Sequence, residues 1–120
     1  MRTMLTKGQR KIFIRDNDKN SFWTVPGKGS AEPVIYGMGY ARYRAEEQAI
    51  TAELQISVPE NINGEAWKIT VNNCGSRKVN LSLFSYIDLD LTGYATPFVV
   101  QCYNNTFDKE LNALIFENKD

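Results

Sequence analysis

The chain has 120 residues, with Lys plus Arg and Asp plus Glu both at 14 and no histidine at all. That is one domain's worth of chain, able to bury about two-thirds of the surface it exposes unfolded. Zero net charge argues against a nucleic-acid module that works through a basic face. The missing imidazole excludes Ser-His-Asp and Cys-His catalysis, and Cys74 and Cys102 alone cannot build a four-thiolate zinc site. Two thiols in such a chain are expected to be free rather than paired. No apolar run reaches the roughly 20 residues of a membrane span, and the N-terminus lacks the apolar stretch of a secretory signal. A cytoplasmic protein with neither membrane nor nucleic-acid partner is expected.

In chain order, Lys11–Arg15 and Ser21–Val25 read as two strands joined by the five-residue polar loop Asp16–Asn20. Pro26 to Pro33 reads as a loop and Gly39 to Glu46 as a strand, with a turn over Glu46-Glu47-Gln48. In Ile50 to Val58, Ile50, Ala52, Leu54, Ile56 and Val58 alternate with polar residues, the mark of a strand with one buried face. Pro59 ends that ladder, having no N–H to donate, and Glu60 to Gly64 is a connection. Trp67, Ile69 and Val71 form the next alternating set. Asn72 to Ser76 reads as a turn, with Gly75 able to take positive φ. Val79 to Leu91 is long and carries bulk on both faces, as a central strand does. Phe98–Tyr103 and Ala113–Phe116 supply two more strands, and Thr106–Leu114 is compatible with one short helical turn. Many short strands between turn signals predict an all-β antiparallel β-sandwich occupying residues 1–120 as a single domain or a fragment of one.

Chemistry is sparse. Asp16-Asn17-Asp18 clusters oxygen ligands of the kind Ca²⁺ prefers, but Ser21 and Gly27 stand where an EF-hand loop needs Gly and Glu. A hairpin loop in which Asp and Asn cap their own backbone is the favoured reading, and no metal site is expected. Tyr36-Gly37-Met38-Gly39-Tyr40 lacks the third glycine of a dinucleotide fingerprint, Arg42 standing in its place. A close backbone approach or a bulge explains those glycines better. Asp88 and Asp90 share a strand face as two exposed acids commonly do, so no catalytic residue is assigned.

Three stretches together resemble a known family. Arg15-Asp16-Asn17-Asp18 with Phe22-Trp23, then Tyr36-Gly37-Met38-Gly39-Tyr40, then Glu65-Ala66-Trp67-Lys68-Ile69-Thr70-Val71-Asn72-Asn73 with Arg77 and Leu81-Ser82-Leu83-Phe84-Ser85-Tyr86 follow the order and spacing of the cellobiose and chitobiose phosphorylases, glycosyltransferase family 36. Tyr36 stands where that family usually has histidine. The resemblance covers about residues 10–119. It implies part of a galactose mutarotase-like supersandwich, the N-terminal domain of enzymes that use inorganic phosphate to split β-linked disaccharides with inversion. It also implies that an (α/α)6 barrel outside this chain carries the catalytic acid.

On that basis the chain is expected to be a non-catalytic, carbohydrate-associated module without a cofactor. Arg15, Asp16, Asp18 and Trp23 would flank a β-linked disaccharide. Gln101 would stand at the first place of a family Gln-Arg pair, with Cys102 at the second. The alternative is a structural or oligomerisation module with no ligand. Its open apolar face would then be covered in a homodimer or by the remainder of the parent enzyme.

Overall fold

The computed structural model of the chain describes residues 10–27, 35–87 and 103–118. These fall into two compact units, one within Gln9–Ile87 and one within Asp88–Asp120. Among the described residues every regular element is a strand: β1 (Arg10–Asp16), β2 (Ser21–Val25), β3 (Ile35–Gly37), β4 (Tyr40–Glu47), β5 (Ile50–Ser57), β6 (Ala66–Asn73), β7 (Leu81–Ile87), β8 (Tyr103–Asp108) and β9 (Ala113–Asn118).

The larger unit is a sandwich of two antiparallel sheets, ordered β2-β1-β7 and β3-β4-β5-β6. Side chains alternate across each strand, so one face of each sheet turns inward. Ile12 and Ile14 of β1 and Val25 of β2 meet Ala52 and Leu54 of β5 in the buried centre. Trp23, Tyr43, Ala45, Ile56, Trp67, Ile69, Val71 and Leu81 pack around them. Register explains the row. Leu54 lies between Tyr43 on β4 and Ile69 on β6, and Ala52 between Ala45 and Val71. The period-two pattern from Ile50 to Ile56 is thus the inner face of a central strand, while Val58 falls beyond β5 and is exposed.

Tight turns set the register of the second sheet. Met38-Gly39 joins β3 to β4, and Gly39 takes φ 75°, as the second central residue of a type II turn requires. The ring of Tyr40 lies across Gly37, where a Cβ would come within 1.9 Å of it. The paired glycines therefore serve a hairpin and a close approach. Between β4 and β5, Gln48 (φ 51°) and Ala49 (φ 62°) both adopt left-handed backbone, the demand of a type I′ turn. Neither residue favours it; the eight cross-strand pairs from Tyr40↔Ser57 to Glu47↔Ile50 impose it.

Four expectations change. The first loop has four residues, not five, because Asp16 pairs with Ser21 and belongs to β1. Gly75 is outside the left-handed region, and its lack of a side chain serves closeness to Ala49, whose Cβ would lie 3.3 Å from one built there. Thr106–Leu114 is no helical turn. Thr106 to Asp108 end β8, four residues turn, and β9 begins at Ala113, pairing Asp108 with Ala113. The segment Val79–Leu91 supplies β7, expected as a central strand; among the described residues it pairs with β1 alone, and β1 lies between β2 and β7. Phe98–Gln101, Asp88 and Asp90 lie outside the described residues.

Leu54, with no exposed surface, anchors the core. Leu54→Ala should cost ~2–5 kcal/mol in urea unfolding. Ala49→Gly should instead raise stability by about 1 kcal/mol by relieving the left-handed backbone at a non-glycine residue.

Candidate functional site

Asp16 ends the inward row Ile12, Ile14, Asp16 on β1 and is the one charged side chain buried among the described residues. A carboxylate without exposed surface is tolerable there only with its oxygens engaged. Its Oδ1 accepts the N–H groups of Asp18 (3.0 Å) and Lys19 (3.2 Å), forming an Asx turn. Its Oδ2 accepts Nη2 of Arg77. Arg77 also lies 3.7 Å from Asp18 Oδ2 through Nη1.

The β6–β7 connection is shaped to present that arginine. Asn73 Nδ2 donates to the Arg77 carbonyl at 2.7 Å, and Asn73 Oδ1 accepts the Gly75 N–H at 3.1 Å. Cys74 N–H reaches the Ala49 carbonyl at 2.8 Å. The hairpin loop answers from the other side. Asn17 N–H donates to Asn80 O at 2.9 Å, and Asn17 Nδ2 donates to Ser82 Oγ at 2.9 Å. All three residues of Asp16-Asn17-Asp18 are therefore engaged with the β6–β7 connection or the start of β7.

Burial by itself pushes the Asp16 carboxyl up from its ordinary 3.8, but the Arg77 guanidinium and the Lys19 and Asp18 N–H groups outweigh it and hold the carboxyl below that value. Glu65 follows the same pattern. Partial burial raises it, while Arg10 and the Trp67 indole N–H, 2.9 Å from Glu65 Oε1, hold it below its ordinary 4.5.

The candidate carbohydrate residues do not converge on one surface. Asp16 and Trp23 face inward; Trp23 packs on the core, with its Nε1 buried and meeting no acceptor. Arg15 points from the opposite face of β1, 2.6 Å from Asn20 Oδ1. Asp18 is exposed in the loop. Gln101 lies outside the described residues. Arg77 is the functional partner that residue-by-residue reading missed, because it stands 61 positions from Asp16. A second missed signal was local. Asp108 Oδ1 accepts the N–H groups of Glu110 (2.9 Å) and Leu111 (3.0 Å), and Asn112 takes φ 50°, as Asn20 takes φ 52°. Asp followed four places later by Asn marks both four-residue hairpins.

Among the described residues no group of three or more Asp, Glu, Cys or His side chains is placed to hold a metal ion. What the arrangement does chemically is hold two connections together.

Comparison with known proteins adds the wider setting. The family described as "Glycosyl hydrolase 94, supersandwich domain" matches residues 4–119. It takes the glycosyl hydrolase 94 heading in place of glycosyltransferase family 36. The chain is similar to N,N'-diacetylchitobiose phosphorylase of Vibrio furnissii, 23% identical over 92 residues, which is 71% of this chain. It is similar to solabiose phosphorylase of Paenibacillus borealis, 28% identical over 93 residues, or 73% of this chain. It is also similar to 3-O-beta-D-glucopyranosyl-beta-D-glucuronide phosphorylase of the same organism, 27% identical over 94 residues, or 74% of this chain. The matched stretch spans 12% of the length of each of these curated relatives. No solved structure matches at a significant level.

Removing Arg77 should harm the fold more than neutralising Asp16, because it strands a buried charge. Arg77→Ala should lower Tm by roughly 10 °C and Asp16→Asn by less, with a double variant far from additive. The pH dependence has a fixed sign. Both carboxyls are depressed in the folded state, so their stabilisation is fully present above about pH 4.5 and is lost as pH falls through the lowered folded values. Asp16→Asn should flatten the loss of stability on acidification below about pH 4, read by urea unfolding across pH.

Proposed function

Because the chain belongs to the glycosyl hydrolase 94 supersandwich domain family, we propose that it is a non-catalytic, carbohydrate-associated β-sandwich module of a glycoside phosphorylase. Phosphorolysis of a β-linked disaccharide would be carried by an (α/α)6 barrel outside residues 1–120. Inorganic phosphate is then a substrate of the parent reaction, not a cofactor of this module. The reading places the protein in the cytoplasm, with no nucleic-acid or membrane partner. The observation that carries it is the relatives' names: three phosphorylases of sugar conjugates, each matched over only 12% of its length. The site's chemistry agrees, since the buried carboxylate Asp16 is committed to Arg77 and to backbone N–H groups.

In this reading the hairpin loop lies beside the sugar. Arg15 and Asp18, both exposed, offer it hydrogen bonds. Asp16 and Trp23 hold the loop and its strand in place, and Gln101 lies outside the described residues.

The second reading, a structural or oligomerisation module, is favoured by the outer face of the β2-β1-β7 sheet. Phe22 is 72% exposed and Phe84 56%, with Tyr86 beside them set edge-on to Phe13 at 6.2 Å between ring centroids. That is more exposed aromatic surface than a solitary module needs. A second copy or the remainder of the parent enzyme would cover it.

One set of measurements separates the two. The purified chain should release no sugar phosphate from N,N'-diacetylchitobiose or cellobiose with inorganic phosphate. Millimolar disaccharide should shift its tryptophan fluorescence, and Arg15→Ala with Asp18→Ala should abolish the shift. A dimer in sedimentation that ignores sugar and dissociates in Phe22→Ser with Phe84→Ser would favour assembly instead.

A further inference from the structure

We propose that Asn63-Gly64 is a self-modifying site, at which the asparagine converts without an enzyme into aspartyl and isoaspartyl forms. It is the one Asn-Gly pair in the sequence. It sits in the connection between β5 and β6, where residues 60–64 are exposed and outside any strand. The space around Gly64 is open, since a Cβ built there would meet only Ile62 Cγ2, at 3.9 Å.

Asn17, Asn20 and Asn73, which stand in other turns of the sandwich, are restrained. Asn73 uses both ends of its amide, on Arg77 O and on the Gly75 N–H, and Cys74 follows it. Asn17 is held by Ser82 and Asn20 by Arg15, and each precedes a residue with a side chain. At Asn63 the one local brake is the bond from Gly64 N–H to Ile62 O, 2.9 Å long and open to solvent. Once it opens, the nitrogen is free to turn toward the Asn63 side chain.

The Gly64 nitrogen gives its proton to solvent and attacks Cγ of Asn63. The new N–Cγ bond closes a five-membered succinimide, while the Cγ–Nδ2 bond breaks and the amide nitrogen leaves with a proton as ammonia. Water then opens the ring. Attack at Cγ gives an aspartyl residue; attack at the main-chain carbonyl gives the isoaspartyl linkage, with an extra methylene in the backbone. Either product places a negative charge two residues before Glu65, whose carboxylate holds Arg10 of β1 and the Trp67 indole of β6. The change therefore falls directly ahead of a link between the two sheets.

The test is incubation of the whole chain in mildly alkaline buffer at 37 °C, followed by peptide mapping by mass spectrometry. The peptide containing position 63 should gain about one dalton ahead of every other asparagine peptide, as expected of a thermolabile site. Gly64→Ala should slow that gain roughly tenfold, by putting a side chain beside the attacking nitrogen. Circular dichroism checks that this variant folds; if it does not, Asn63→Gln, with its longer side chain, takes its place and should leave the peptide unchanged. No gain at position 63, gain first at another asparagine, or an unchanged rate in the folded variants would overturn the proposal.

Discussion

The pairing of Asp16 with Arg77 is the constraint on which the end of the sandwich depends. A carboxylate without exposed surface ends the apolar row of β1 and is tolerable only with its oxygens engaged. The Asx turn at Asp18 and Lys19 uses one oxygen and fixes the β1–β2 loop. Arg77 takes the other, drawing the β6–β7 connection over the same end. Because β6 lies in one sheet and β7 in the other, this clamp governs how the chain crosses between them. Asn17, joined to Asn80 and Ser82, reinforces it with neutral bonds that persist when the carboxylate is protonated.

The two outer faces of the sandwich differ in kind. On the β3-β4-β5-β6 sheet the outward residues of β4 and β5 are mostly polar: Arg42 bonds Gln55 at 2.8 Å, lies 3.9 Å from Glu53 and stacks over Tyr40 at 5.5 Å. That face is suited to water. The β2-β1-β7 sheet turns Phe13, Phe22, Phe84 and Tyr86 outward, with charge only at Lys11 and Arg15. Leu83 and Ile87 on the other face of β7 are also exposed. Apolar side chains are thus exposed on both faces of β7.

Most of the β fold was legible because its signals are local. Alternation in Ile50–Val58 and Trp67–Val71 placed both strands and their inner faces, except that Val58 falls beyond β5 and is exposed, and Asp16–Asn20 announced a hairpin. The errors came where local signals compete. Thr106, Asp108 and Glu110 look like a helix start, yet Asp108 caps a β-turn, because the residues on either side of it pair across a hairpin as Phe107↔Leu114 and Asn105↔Phe116. Gly75 looked like a positive-φ turn residue, whereas the strain falls on Gln48 and Ala49, where no residue type signals it and only strand register demands it.

The candidate site was legible in composition but not in role. The sequence by itself determined the fold class, the supersandwich family, the absence of histidine chemistry and the strands that carry the core, all of which follow from residue type and short spacing. Only the tertiary structure decided that Asp16 is a buried partner of Arg77, that Arg15 and Trp23 leave the same hairpin on opposite faces, and that β1 lies between β2 and β7. Those facts turn on contacts between residues far apart in the chain, and period-two alternation says which residues share a face but not what that face will meet.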